Sequence, residues 1–136
     1  MTLRLEKRVF VVQNQHRLND RSGNLEPKFD FSSAERYGEL IYLLSPTARP
    51  FSPEHVISQL KDKLIDFRDE DCLLLIGNPC LIGFAVAVAS WANEGRVRVL
   101  QWDGRRREYV LVESRLPMHV EDDSVFPEMP RVKDRW

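Results

Sequence analysis

The chain has 136 residues, 20 basic against 21 acidic, for a net charge of −1. That length supports one domain with a core of its own, and the charge balance excludes a global field that would draw in nucleic acid or a membrane. Two cysteines eight residues apart make neither a disulfide framework nor a zinc spacing, and both sit among aliphatic neighbours, where buried free thiols acting as small hydrophobes are expected. The mixed, charged start Thr2-Leu3-Arg4-Leu5-Glu6-Lys7-Arg8 has no apolar signal core, so a cytoplasmic protein is expected.

Arg8–Gln13, centred on Val9-Phe10-Val11-Val12, reads as a short strand. Asn14–Pro27 is polar, and Asp20-Arg21-Ser22-Gly23-Asn24 has turn chemistry that returns the chain as an exposed hairpin-like loop. Ser32 or Ser33 starts one or two helical turns ended by Gly38, and Glu39–Leu44 follows as a second buried strand. Ser52 and Pro53 open an amphipathic helix, with Val56, Ile57, Leu60, Leu64 and Phe67 at helical spacing.

Asp71–Asn93 is the stretch around which the rest is organised. Cys72–Ile76 is a continuous apolar run of the length of a strand covered on both faces. Gly77-Asn78-Pro79 then turns the chain, with Asn78 as N-cap and Pro79 at the first helical position. Leu81, Ile82, Phe84, Val86, Val88 and Trp91 fall all round the following helix, which Gly95 ends in a left-handed conformation. Full burial of six such side chains contributes about 9–18 kcal/mol, so this helix is either central or half of an interface. A membrane span is not expected, because Asn78-Pro79 breaks a run already short of roughly 20 residues.

Arg96–Trp102 alternates as a half-exposed strand. Asp103-Gly104 and Arg105-Arg106-Arg107 turn it, and Glu108–Glu113 returns as its partner. The order predicts a small three-layer α/β fold: a parallel βαβαβ core with an edge β-hairpin, residues 1–115 forming one domain. Residues 116–136 lack any period and read as an extended or docked C-terminal tail carrying Phe126 and Trp136.

In chain order, Val9-Phe10-Val11-Val12, Phe29-Asp30, Tyr37-Gly38, Asp71 to Pro79, and Leu100-Gln101-Trp102-Asp103 with Tyr109 form a pattern. It resembles small proteins of unassigned function encoded by tailed bacteriophages, over roughly residues 8 to 113. Gln101 and Cys72 stand where such relatives would carry a basic or aromatic residue. The resemblance implies a phage gene product working in a bacterial cytoplasm, with no catalytic residues to carry over.

Three surfaces invite a function. Gly77-Asn78-Pro79 at a parallel strand's carboxyl end is where α/β proteins hold anions and nucleotides, with Ser45 and Trp102 nearby. It lacks both the GxGxxG and the P-loop patterns, so a plain strand-to-helix turn is the simpler reading. Arg96, Arg98, Arg105, Arg106 and Arg107 share one hairpin with Trp102 and Tyr109, a combination that holds phosphates and stacks bases. The plainer alternative is a charged sheet edge that blocks unwanted pairing.

His16, His55 and His119 are scattered, and Asp69-Glu70-Asp71 reads as a solvated run rather than a metal site. No nucleophile, base and oxyanion donor assemble, so neither an enzyme nor a metal or cofactor is expected. The expectation is a non-catalytic phage accessory protein that binds, and in one version inhibits, a host or phage protein. Small-ligand binding at the strand ends and nucleic-acid binding through the arginine hairpin are the alternatives. A homodimer stays open.

Overall fold

The computed structural model describes residues 6–118. Its main sheet has five strands in the order β4-β1-β5-β6-β7: β1 (Arg8–Gln13), β4 (Glu39–Leu44), β5 (Cys72–Leu74), β6 (Arg96–Asp103) and β7 (Glu108–Arg115). The first four run parallel and β7 is antiparallel to β6, giving the mixed α/β fold with an edge hairpin that the element order predicts. A separate two-stranded antiparallel sheet pairs β2 (His16–Leu18) with β3 (Leu25–Pro27).

Strand β1 lies inside the sheet, between β4 and β5, and both of its faces are apolar. Phe10 and Val12 join the core under α1 (Pro53–Leu64) and α2 (Pro79–Ala92), which pack on each other. Val9 and Val11 join a second core with Phe31, Ala34, Leu100 and Tyr109, roofed by the 3-10 helix Ser32–Tyr37. Successive side chains of a strand point to opposite faces, so one run of four apolar residues feeds both layers.

Two elements depart from the sequence reading. Strand β4, expected as buried, is an edge strand: Leu43 and Leu44 are buried while Tyr42 is exposed, because β1 pairs with it on one side only. Lys63 of α1 reaches its carbonyls, donating to Tyr42 O at 3.2 Å and Leu43 O at 2.8 Å. The apolar run Cys72–Ile76 keeps regular pairing only to Leu74. Beyond it Leu75 N–H donates to Leu100 O, and Ile76 O accepts from Gln13 N–H.

Asn78 caps α2 as expected, its Oδ1 accepting from the Cys80 N–H at 2.9 Å. Ser52 precedes α1 without a side-chain cap bond, and Pro53 alone marks that start. At the far end of α2, Gly95 has φ +84° and lies against the Leu116 carbonyl so closely that a Cβ would collide with it.

A buried ion pair fixes the amino ends of the central strands. Arg8 Nη2 and Nε donate to the two oxygens of Asp71 at 2.7 and 3.1 Å, and Asp71 is fully buried. The Arg68 backbone N–H donates to the same carboxylate at 3.1 Å. Hydrogen bonding to Asp71 raises the Arg8 pKa, so the guanidinium stays charged throughout the accessible pH range.

Candidate functional site

The chain leaves β1 toward β4 on one side and β5 toward β6 on the other. The carboxyl ends of β1 and β5 therefore flank the reversal of strand order at which open α/β sheets bind ligands. Here the Gln13 side chain fills that position. Its Nε2 faces the carbonyls of Ser45 (3.1 Å), Pro46 (3.4 Å) and Ala48 (2.9 Å), and its Oε1 accepts the Asn78 N–H at 2.9 Å. Gly77, at φ +130°, passes so near that a Cβ would stand 2.6 Å from the Gln13 Cβ. Only glycine accommodates both that backbone angle and that approach.

The fold thus brings Ser45, Gly77 and Asn78 together, but around an internal glutamine. Trp102 stands apart from this network, its ring edge-on to Tyr109 with centroids 5.0 Å apart, on the face of the sheet that carries Leu100. Gln13 itself is missed by sequence reasoning. A polar residue closing a run of four buried apolar ones is the one local signal, and no local pattern says which loops it bonds.

The five arginines divide between the two ends of their hairpin, separated by roughly 23 Å of strand. Arg96 Nε donates to Asp69 Oδ1 at 2.8 Å, and Arg98 lies 3.4 Å from the Glu113 carboxylate and donates to the Asp69 backbone carbonyl. The bond from Arg96, with a second from Asn93, holds the Asp69 carboxyl below the usual range. Arg105, Arg106 and Arg107 occupy the exposed turn, where Asp103 Oδ1 accepts the backbone N–H groups of the first two. Arg107 has φ +52°. Tyr109 is buried, and burial raises its phenol pKa, so it packs in the core rather than offering a stacking face. Phe126 and Trp136 lie outside the described residues, as does the tail beyond Met118.

Groups with reactive chemistry are dispersed. His16 and His55 are exposed on β2 and α1. Cys80 is exposed at the start of α2 rather than buried as expected, while burial pushes the Cys72 thiol up to about 11, which leaves it protonated at neutral pH. Among the described residues no three His, Cys, Asp or Glu side chains are placed to hold a metal ion. No helix among them is long and apolar enough to cross a membrane.

A groove of about 430 Å³ runs along Asp69, Arg96, Arg98 and Glu113, and further open surface lies away from the predicted residues. The β2–β3 hairpin stands off the main sheet, and its cross-strand partners Leu18 and Leu25 are 60 and 71% exposed. Beside it a groove of about 640 Å³ runs between the hairpin, the 3-10 helix and β4, lined by Asn14, Arg17, Lys28, Phe29, Leu40 and Tyr42 among others. Another groove, of about 300 Å³, separates the outer sides of α1 and α2.

Fold and surface together define a small doubly wound α/β protein whose strand-end crevice is closed from within. A family model described as "Phage Pam3 gp32-like protein" matches residues 7–116, and the chain belongs to that family. No curated protein and no solved structure matches the chain.

Proposed function

We propose that this phage protein is non-catalytic and acts by binding another protein, host or phage, through the β2–β3 hairpin and the groove beside it. The observation that carries the reading is the exposed Leu18–Leu25 pair. A two-stranded hairpin is marginally stable alone, and apolar side chains directly opposite each other on a projecting arm are the kind of surface that a partner covers. Arg17 and Lys28 on the same arm, with Tyr42 and Phe29 along the groove, supply charge-assisted and aromatic contacts.

The strand-end alternative draws less support, because Gln13 occupies the space between Ser45, Gly77 and Asn78. Nucleic-acid binding is left with Arg105 and Arg107 of the turn, since Arg96, Arg98 and Arg106 already face carboxylates. The dispersal of the histidines and the raised thiol pKa favour a non-catalytic role.

The test is affinity capture from host lysate, with and without co-expressed phage proteins, followed by native mass measurement. The expectation is one stoichiometric partner, lost in the Leu18→Asp/Leu25→Asp variant while its melting temperature is retained. Capture that survives this double substitution, or recovery of no partner under several conditions, overturns the reading.

A further inference from the structure

The groove between α1 and α2 is lined by Ile57, Lys61, Phe84, Ala87, Val88 and Trp91. Trp91 is 51% exposed, with Lys61 Nζ 5.3 Å from its ring centroid, and Gly83 and Ala87 leave the outer side of α2 low. This is the unpartnered half of the helix whose sequence is apolar all round. After β7 the chain returns to the carboxyl end of the same helix. Leu116 N–H donates to Gly95 O at 2.6 Å, and the next contact is Ser90 Oγ donating to Met118 Sδ at 3.6 Å. The described chain therefore stops against α2 at Ser90, on the turn that carries Trp91 and about 100° round the helix from it.

We infer that this groove is the docking site of the chain's own C-terminal segment, residues 119–136. The length suffices: α2 is about 21 Å long, and fewer than half of the 18 remaining residues, at up to about 3.3 Å each, span it. The charges agree in position. Glu121-Asp122-Asp123 follows Met118 by three to five residues, and Lys61, which has no carboxylate within salt-bridge distance among the described residues, stands at that end of the groove beside Trp91. From Trp91 to Phe84 the helix rises about 10 Å, which three extended residues also cover, so Phe126 falls against Phe84 and Ile57. Pro127 and Pro130 suit such a site, because a proline brings no backbone N–H into an apolar groove and favours extended chain. The inference is independent of the hairpin reading, since α1 and α2 cover the opposite face of the sheet from the 3-10 helix that borders the hairpin groove.

The experiment is tryptophan emission and acrylamide quenching of the full chain with Trp102→Phe and Trp136→Phe, which leaves Trp91 as the sole indole. Docking predicts a Trp91 shielded well beyond a half-exposed indole, at every protein concentration and in a monomer. Phe126→Ser, and separately reversal of Glu121, Asp122 and Asp123 to lysine, raises the quenching constant about twofold while a single cooperative unfolding transition is kept. Lys61→Glu restores shielding to the charge-reversed tail. Shielding that grows with concentration and survives Phe126→Ser means that a second copy fills the groove, and overturns the inference. A Trp91 equally accessible with and without residues 119–136 overturns it as well.

Discussion

Gln13 and Asn78 meet across the carboxyl ends of β1 and β5, the side-chain oxygen of the one accepting the backbone N–H of the other at 2.9 Å. The same glutamine holds the 45–48 loop through its amide nitrogen. Sixty-five residues of sequence separate the pair, so the bond closes the fold across its central strands.

Gln13→Ala leaves a buried N–H and several carbonyls without their partner and opens a void beside Gly77. Unmet buried polar groups cost about 1–3 kcal/mol each before relaxation, so a loss of about 2–4 kcal/mol is expected in urea unfolding. Gly77→Ala also destabilises, through positive φ and the collision with the Gln13 Cβ. A loss below about 0.5 kcal/mol for Gln13→Ala, within the range of ordinary surface substitutions, contradicts the role given to this residue.

Arg8→Ala leaves the buried Asp71 carboxylate with the Arg68 N–H and a guanidinium 3.9 Å away, and is expected to cost up to about 3–5 kcal/mol. The double substitution Arg8→Met/Asp71→Leu removes both charges and recovers most of that loss, since a buried pair as a whole contributes far less than breaking it costs. Denaturant midpoints of the three proteins check this; a double variant no more stable than Arg8→Ala refutes it.

Lys63 donates to two carbonyls of β4, the strand whose outer side has no partner among the described residues. Lysine on an open edge discourages pairing with a second chain. Lys63→Ala is expected to change stability by under about 1 kcal/mol, because the side chain is largely exposed. Its effect appears instead as concentration-dependent self-association in sedimentation.

Alkaline stability depends on Cys72. Its thiol is raised by burial from its ordinary 9.0 to about 11. Below pH 9 both folded and unfolded thiols are protonated, and the preference for the folded state is intact. Between pH 9 and 11 the unfolded thiol ionises while the folded one does not, so stability falls with rising pH across that window. At 1.36 kcal/mol per pKa unit the loss is roughly 2 kcal/mol. Cys72→Ala is less stable at neutral pH but loses less from pH 9 to 11, a difference readable from paired melting curves. Equal pH slopes contradict the assignment.

How much the chain shows before folding is clear from particular residues. Val9 to Val12, the Gly77-Asn78-Pro79 turn and the spacing of Val56, Leu60 and Leu64 determine a strand, a turn and a helix locally, and their order determines an α/β fold. Hydrophobic period and turn chemistry act over a few residues, so one chain suffices to read them. The packing of Tyr109, the division of the arginines between carboxylates and solvent, the edge position of β4 and the closing of the crevice by Gln13 were decided only by tertiary structure. Each depends on which distant strands become neighbours, and that is set by burying two faces of β1 at once, a long-range condition no local spacing encodes.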